Sequence, residues 1–364
     1  MEKKLTVFPS WYPDFACKCG QCRHTCCNGW KISVTKQEYY YLIGLSCGKK
    51  LRRKLDSAFV PADMPDNERF AYISPNYEGK CPMLDDDGYC LLHKECGAEA
   101  LSMLCRVYPR SIKSARIHEA GTSLACEATV ELLMRDTDPV TFIEDECELP
   151  FDGIKINGTE PTDEMIAVRH GSIDIIADRS MSIAERMMRL CLYLHGGIGD
   201  VPSSDSDGMG LMLKFIRAIE HRCDDLRFFG EKAIGALGIE KDGNFDVPQA
   251  IDKYISASAH LRTVIPDVDI YTEKILVNHL FFEQFPYVDS VKKPRDAVAS
   301  LCLGLALLDL VTVGYMSDSD SRSDYVDAVA AVFRFIEHTD FYAFGTAHIF
   351  PPEQNLCRML SFLY

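Results

Sequence analysis

The sequence lacks a segment that would insert readily into a membrane. Its longest apolar run covers residues 297–313 and contains Ser300 and Asp309, whereas a membrane-spanning helix needs about 20 mainly apolar residues. The first residues include Lys3 and Lys4 but no apolar core of a secretory signal. We therefore expect a cytoplasmic protein without a membrane partner, in which residues 297–313 form a buried central helix.

The sequence is also poor in positive charge. The net charge is −15, although residues 1–126 carry 18 Lys and Arg against 14 Asp and Glu. Nucleic-acid binding requires concentrated positive charge, so we expect no nucleic-acid partner. The acidic remainder of the chain has two interpretations: it steers a lysine-bearing protein substrate toward the molecule, or it simply keeps the surface soluble.

Two common cofactor and metal signatures are missing. No glycine-rich turn connects a strand to a helix, so a Rossmann-type cofactor site is not supported. Only one C-x2-C pair occurs, between Cys19 and Cys22, whereas zinc ribbons use two such pairs at a regular interval. Any metal site must therefore be built from more scattered ligands.

Cysteine is what the sequence has in excess, and its distribution is uneven. Of 16 cysteines, 11 lie before residue 127: five in a group over residues 17–27, five in a second group over residues 81–126, and Cys47 between them. Thiols stay reduced in the cytoplasm, so clustered cysteines there indicate metal or redox chemistry before disulfides. Thiolate suits zinc or iron–sulfur iron, and spacing alone leaves both open. His24 and His93 are spare ligand candidates, although a surface position is the more ordinary role for each.

The remaining pattern predicts a mainly α fold in two parts. Residues 1–135 form an irregular cysteine-rich metal-binding domain with short strands near 30–34 and 70–73, and the acidic segment 136–163 is a linker. Residues 164–364 form an α-helical domain. Apolar residues at helical spacing predict a bundle of about six helices, near 183–194, 212–223, 248–264, 271–285, 295–315 and 326–336.

Local signals refine the cysteine-rich part. Thr35 with Glu38 three residues later is a capping-box pattern, which predicts that a helix begins there. Turn residues at 86–88 place Cys81 and Cys90 on the arms of a hairpin-like loop. Residues 95–107 are predicted to form one helix that ends before Pro109.

Several ordered motifs resemble those of the flagellin lysine N-methylase family. They are an early cysteine after phenylalanine (Cys17), CCNGW over residues 26–30, CPML with GYC over residues 81–90, LSMLCRVYPR over residues 101–110, and a later cysteine (Cys126). The resemblance covers roughly residues 8–135. Residues 136–364 contain no motif of this kind.

The resemblance implies methyl transfer from S-adenosylmethionine to lysine side chains of flagellin, with a [4Fe–4S] cluster bound by N-terminal cysteines. The matching ligand positions are Cys17, Cys22, Cys26, Cys27, Cys81, Cys90, Cys105 and Cys126. Eight cysteines exceed the four ligands of one cubane, so some are structural or a second metal is present. Cys19, Cys47 and Cys96 fall outside the pattern. The C-x3-C-x2-C arrangement of radical enzymes is absent, and the choice between radical and polar transfer stays open.

Residues beside these cysteines are candidates for catalysis and cofactor binding. Arg106 and Arg110 pair with the donor's carboxylate or offset thiolate charge, unless they form ordinary salt bridges. Tyr108 is a candidate base or aromatic wall for the lysine, and Trp30 is predicted to cover the metal site. The competing hypothesis is a non-catalytic zinc- or iron-binding protein whose helical domain binds a protein partner.

Overall fold

The computed structural model describes residues 3–114, 117–149, 154–155, 161–195, 224–239, 245–288 and 293–343. The chain forms two compact units. One consists of Ala16–Tyr108 and is called the cysteine-rich unit; the other consists of Met1–Phe15 with Pro109–Tyr364 and is called the helical unit. The mainly α fold class predicted from the sequence is confirmed. The predicted helix at 212–223 lies outside the described residues.

The cysteine-rich unit contains four short helices and a small sheet. The helices are α1 (Lys36–Gly44), α2 (Lys49–Ala58), α3 (Leu91–Cys96) and α4 (Met103–Val107). Strand Ala71–Ile73 pairs antiparallel with Ile32–Val34 on one side and with Phe59–Pro61 on the other. Two of these strands confirm those predicted near 30–34 and 70–73. Apolar side chains of the helices and strands form the unit's own small core.

The carboxylate of Glu38 accepts hydrogen bonds at the N-terminal ends of two helices in this unit. The hydroxyl of Thr35 accepts a hydrogen bond from the Glu38 amide at 3.2 Å, and the Glu38 carboxylate accepts one from the Thr35 amide at 2.8 Å. This confirms the predicted capping box at the start of α1. The other carboxylate oxygen accepts a hydrogen bond from the amide of Met103, the first residue of α4. Glu38 therefore ties α1 to the helix that carries Cys105.

The predicted continuous helix over residues 95–107 is wrong. Helix α3 ends at Gly97, which has a φ of +81°, a conformation that glycine adopts easily and other residues rarely do. A single 3-10 turn follows at Ala98–Ala100, and α4 begins only at Met103. The glycine thus divides the predicted helix and lets Cys105 lie on a separate element.

A five-stranded sheet in the helical unit was not predicted. Strand Lys3–Pro9 pairs parallel with the central strand His118–Thr122 and antiparallel with Phe142–Glu148. His118–Thr122 also pairs antiparallel with Arg110–Ser114, which pairs parallel with Ile154–Lys155. Segments far apart in sequence are therefore joined by main-chain hydrogen bonds.

The predicted linker over residues 136–163 contains a strand of this sheet, and Asp136 at its start has its own contacts in the helical unit. Strand Phe142–Glu148 pairs along its whole length with Lys3–Pro9. The buried ammonium of Lys274 donates hydrogen bonds to the carbonyl and carboxylate oxygens of Asp136 at 2.9 and 2.7 Å. The unit boundaries accordingly fall at 15/16 and 108/109 and differ from the predicted boundaries at 135 and 163.

Eight helices are described in the helical unit, several with the predicted limits. They are α5 (Glu127–Leu133), α6 (Asp163–Ala177), α7 (Ile183–His195), α8 (Asp224–Ala236), α9 (Val247–Val264), α10 (Val268–Phe282), α11 (Pro294–Tyr315) and α12 (Arg322–His338). The segment Pro294–Asp318 is long and apolar enough to cross a membrane, but 89% of its most apolar window is buried inside the protein. This confirms the predicted central core helix.

The core helix α11 carries a carboxylate, Asp309, in the middle of its apolar run. Asp309 accepts a hydrogen bond from the hydroxyl of Tyr254 on α9. Burial raises the pKa of Asp309 to about 6, while the Tyr254 hydrogen bond and the charge of Arg262 oppose this shift. The charged form of Asp309 is therefore disfavoured in the folded protein.

Replacing Asp309 with asparagine should stabilise the protein above the raised pKa. Because its pKa is raised in the folded protein, protonated Asp309 favours folding, and this contribution to stability is fully present below the unfolded-state pKa of about 4. The contribution is lost as pH rises through about 6. Asparagine cannot ionise and still offers an oxygen to Tyr254. At about pH 8 we expect the variant's free energy of unfolding to exceed that of the wild type by roughly 2 kcal/mol, with a smaller excess at about pH 4.

Urea denaturation at the two pH values measures this difference. Asp252→Asn, on the exposed side of α9, is the matched control and should change stability little at either pH. An equal gain for Asp309→Asn at both pH values would contradict the assignment.

Candidate functional site

Main-chain pairing brings the first and second cysteine groups together within the cysteine-rich unit. The amide of Cys81 donates a hydrogen bond to the carbonyl of Cys27 at 2.8 Å, and the amide of Gly29 donates one to Gly79 at 2.9 Å. Asn28 and Lys80 form the β-bridge between these two bonds. The CCNGW and CPML motifs are therefore neighbours, with Cys27 beside Cys81.

The segment from Cys81 to Cys90 forms the predicted hairpin-like loop. The amide of Asp85 donates to the carbonyl of Tyr89 at 2.8 Å, and the amide of Leu91 donates to Met83 at 2.8 Å. Cys81 and Cys90 thus lie at the ends of the two arms. This part of the sequence prediction is confirmed, because the turn residues 86–88 close the loop as expected.

Lysines anchor this hairpin. The Lys54 ammonium, on α2, donates hydrogen bonds to the carbonyls of Pro82 and Leu84 at 2.6 and 2.8 Å. Lys50, one turn earlier on the same helix, forms an ion pair with Asp85. Sequence reasoning missed these contacts. The basic run KKLRRK over residues 49–54 could have indicated these contacts, because several cations on one helix favour acceptor groups nearby.

Four cysteines from separate segments are close enough to influence one another's ionisation. They are called the thiol group and are Cys27, Cys81, Cys90 and Cys105. A hydrogen bond from Cys26 and a second from Thr25 outweigh burial and hold the pKa of Cys27 at about 7. Burial raises the pKa of Cys81 to about 12, and the charge of Cys27 adds to this shift. Burial likewise raises the pKa of Cys90. Cys27 is therefore the member of the thiol group that ionises near neutral pH.

Cys105 joins the thiol group from the first turn of α4. Ser102 caps that helix by accepting a hydrogen bond from the Cys105 amide at 3.4 Å. Surrounding protein atoms raise the pKa of Cys105 to about 11, and the charges of Cys27 and Cys90 act in the same direction. The residue keeps exposed surface, so solvent moderates the shift.

The loop that carries Cys17 and Cys22 lies against the hairpin. A Cβ atom on Gly20 would lie only 2.6–2.8 Å from the ring of Tyr89, so only glycine permits this approach. Cys17 is exposed and Cys22 is half-buried. Cys19 had been left out of the predicted ligands, but its pKa is raised by burial first and then by Cys17, Cys90 and Cys27. The structure therefore places Cys19 beside two members of the thiol group.

Cys126 belongs to the other unit. It lies at the start of α5, where its carbonyl accepts a hydrogen bond from Thr129 at 3.0 Å, and it is half-buried. The remaining seven predicted ligands, among them Cys26, all lie in the cysteine-rich unit. The assignment of Cys126 as a metal ligand stays a prediction.

Trp30, which the sequence predicts to cover the metal site, lies beside Cys26. Its indole N–H donates a hydrogen bond to the Cys26 carbonyl at 2.7 Å. The ring of Tyr108 packs edge-on against it at 6.1 Å between ring centres. Trp30 and Tyr108 therefore form one aromatic wall at the end of the LSMLCRVYPR motif.

The two candidate arginines have ordinary structural partners. Arg106 pairs with the exposed carboxylate of Glu99 at 2.9 Å. In the helical unit, the Arg110 guanidinium donates to the carbonyl of Phe15 at 2.9 Å and lies 4.7 Å from that residue's ring centre. Tyr12 provides a second ring at 5.7 Å. Both arginines have the contacts expected of structural residues, and their catalytic roles stay predictions.

The cysteines have the chemistry of ligands for a soft metal, but the described side chains are not grouped into a metal-binding site. Thiolate sulfur binds zinc and iron–sulfur iron well. Within the described ranges, however, no three Cys, His, Asp or Glu side chains are grouped so as to hold a metal ion. The cysteines form a thiol-rich region, and the choice of ligands and of metal stays a prediction.

Relatives with assigned names match part of the chain. Two proteins described as lysine-N-methylase, from Salmonella choleraesuis strain SC-B67 and Salmonella typhimurium strain LT2, are each 30% identical over 145 residues. The match covers 39% of this chain and only 36% of the length of those relatives. A protein described as flagellar biosynthetic protein FliU, from Salmonella muenchen, is 29% identical over 145 residues, which is 85% of its length.

No family model matches the chain, and no solved structure matches it. The three relatives nevertheless support the resemblance to a flagellin lysine N-methylase-like family that the motifs indicated.

Metal-free protein should be alkylated first at Cys27. With a pKa of about 7, about half of the Cys27 thiol is ionised at neutral pH, and thiolate is the reactive form. We expect the rate of iodoacetamide modification at Cys27, followed by peptide mass spectrometry, to be half-maximal near pH 7. The fully buried Cys191 and Cys302 are internal controls that should react only after unfolding. Modification of Cys81 before Cys27 would contradict the predicted order.

Substitution of Gly20 should loosen the contact between the first cysteine loop and the hairpin. In Gly20→Ala the new methyl group overlaps the Tyr89 ring, and such overpacking costs about 1–3 kcal/mol. Gly44→Ala, which meets no atom within 4 Å, is the control. The double variant Gly20→Ala with Tyr89→Ala should recover part of the loss in thermal denaturation. A double variant no more stable than the additive sum would disprove this contact.

Proposed function

We propose that the protein is a lysine N-methylase that transfers a methyl group from S-adenosylmethionine to lysine side chains of flagellin. The observation that carries the proposal is the thiol group, in which each cysteine comes from a motif resembling that family and lies in the cysteine-rich unit. The lysine-N-methylase and FliU names of the matching proteins agree with it.

We further propose that the cysteine-rich unit holds a [4Fe–4S] cluster. Cubane clusters are bound by up to four cysteine thiolates, and the thiol group offers four sulfurs of the right chemistry. If only three of these four thiols were ligands, the remaining iron would be able to hold the amino and carboxylate groups of the methyl donor. Zinc is the alternative metal, because the same thiolates suit it.

The chain's own residues would serve mainly to position the reactants. The attacking lysine amine must be neutral and in line with the donor's sulfonium methyl, and correct placement supplies much of the acceleration. We propose Tyr108 and Trp30 as the aromatic wall beside the lysine, because they already pack together. Arg106 is proposed for the donor's carboxylate, since its present partner is an exposed side chain. The catalytic role predicted for Arg110, which lies in the helical unit, is kept as a proposal.

The charge distribution suits a lysine-bearing protein partner. Residues after 126 carry most of the acidic excess behind the net charge of −15, and complementary charge accelerates encounter more than it adds affinity. We propose flagellin as the partner and the cytoplasm as the compartment, where the thiols stay reduced. The competing hypothesis is a metal-binding protein without catalysis, whose helical unit binds a partner.

A methyl-transfer assay distinguishes these functions. Anaerobically purified protein is incubated with flagellin and S-adenosylmethionine carrying a labelled methyl group, and lysine modification is read by mass spectrometry. We expect labelled lysines with the wild type and at least about a hundredfold less label with Cys90→Ser, a loss typical of removing an essential group. Cys47→Ser is the control, since Cys47 is also half-buried but lies outside the thiol group.

Labelling of lysine by Cys90→Ser at the wild-type rate would reject the thiol group as part of the active site. No label from metal-loaded wild type would favour the non-catalytic hypothesis.

A further inference from the structure

The helical unit encloses a cavity beside the core helix α11. Its volume is about 110 Å³. Helices α7, α9, α10, α11 and α12 supply its walls. The apolar lining residues include Ile183, Leu261, Val268, Leu305, Leu308 and Val313, and the uncharged polar ones are Ser258, Thr272, Thr312 and Tyr325. An apolar cavity of about 150 Å³ in another protein binds benzene, so this space is large enough for a short alkyl chain. The side chain of Asp309 also lines it.

The Asp309 carboxylate has one oxygen available to a ligand. Oδ2 accepts the hydrogen bond from the Tyr254 hydroxyl, whereas Oδ1 accepts none from the residues that the structure describes. The residue is only half-buried although it belongs to the core helix, and it lines the cavity. A carboxylate oxygen in apolar surroundings is costly without a partner, and a cationic hydrogen-bond donor would satisfy it.

A second cavity adjoins the first and provides a path to the surface. Its volume is about 530 Å³. The two cavities share Ile183, Ala184, Arg262 and Asp269 as lining residues. Side chains of the last two are 54% and 63% exposed, so the junction lies at the surface of the helical unit. A ligand could therefore place a narrow end in the inner cavity and a larger part in the outer one.

The arginines that line the two cavities all have carboxylate partners. Arg262 binds Asp269 through two hydrogen bonds, at 2.8 and 3.0 Å. Arg179 and Arg186 both bind Glu273, each with a shortest distance of 2.9 Å. Among the described lining residues, the core carboxylate is thus the acidic group that forms no ion pair. Its charge favours a cationic ligand over an anionic one.

We propose that the inner cavity binds a primary alkylammonium group, with the ammonium on Asp309 and the methylene chain between Leu261 and Leu305. An ammonium has three N–H donors and no acceptor, which matches the available oxygen. A chain of about four methylenes suits the volume and the apolar walls. The proposal concerns binding and does not require methyl transfer.

Two sources present this chemistry. One is a free alkylamine, which would occupy the inner cavity alone. The other is a lysine side chain of a protein, whose main chain would lie in the outer cavity. If the ligand is a protein lysine, the site also belongs to the proposed methylase function.

Calorimetric titration of the full chain with n-butylamine tests the proposal. We expect saturable binding with a Kd on the order of 1 mM, which is reasonable for a ligand of so few atoms. Asp309→Asn should weaken binding at least about tenfold, because the ammonium loses its charged acceptor. Ser258→Leu, which fills part of the same cavity, should weaken it independently. Asp252→Asn is the exposed control and should bind as the wild type does.

A lysine-containing peptide and n-butanol complete the test. Tighter binding of the peptide than of n-butylamine identifies a protein lysine as the ligand; binding of n-butylamine alone identifies a free amine, and either result supports the proposal. Binding of n-butanol as tight as that of n-butylamine, equal affinity of wild type and Asp309→Asn, or no saturable binding to the wild type would overturn it. These results concern only amine binding in the helical unit. If methyl transfer to flagellin is observed as well, the proposed function is supported whatever the outcome of the binding test.

Discussion

A lysine inside the cysteine-rich unit holds the hairpin on which the candidate site depends. The Lys54 ammonium binds the carbonyls of Pro82 and Leu84, which lie in an irregular segment where main-chain acceptors need partners from elsewhere. With the hairpin fixed, Cys81 pairs through its amide with Cys27. The positions of the thiols therefore follow from main-chain hydrogen bonds and from the contacts of one half-buried lysine.

The gathering of thiols has an electrostatic consequence. Burial raises the pKa values of Cys81, Cys90 and Cys105, and the charge of Cys27, whose own pKa is lowered by hydrogen bonds, adds to each of these shifts. A soft cation would stabilise all four thiolates at once. This relation links the geometry of the thiol group to the proposed cluster, and it gives the cysteine motifs a physical purpose beyond packing.

Local patterns allowed prediction of the capping box at Thr35, the hairpin after Cys81 and the central core helix, because each depends on residues close in sequence. The sheet could not be found in this way. Lys3–Pro9 pairs with strands more than 100 residues away, and the acidic strand 142–148 lacks the apolar alternation of a buried strand. The cysteine count predicted a thiol-rich site. It could not show that Cys19 lies beside Cys90, because that proximity depends on the contact between Gly20 and Tyr89.

X-ray absorption at the iron and zinc edges of anaerobically purified protein shows whether the thiol group holds an iron–sulfur cluster. We expect iron with a first shell of sulfur at a thiolate-like distance, iron–iron scattering and matching acid-labile sulfide. We also expect that Cys90→Ser reduces this signal while Cys47→Ser retains it. Zinc alone in a closed thiolate shell, or iron surrounded only by oxygen and nitrogen, would contradict the cluster.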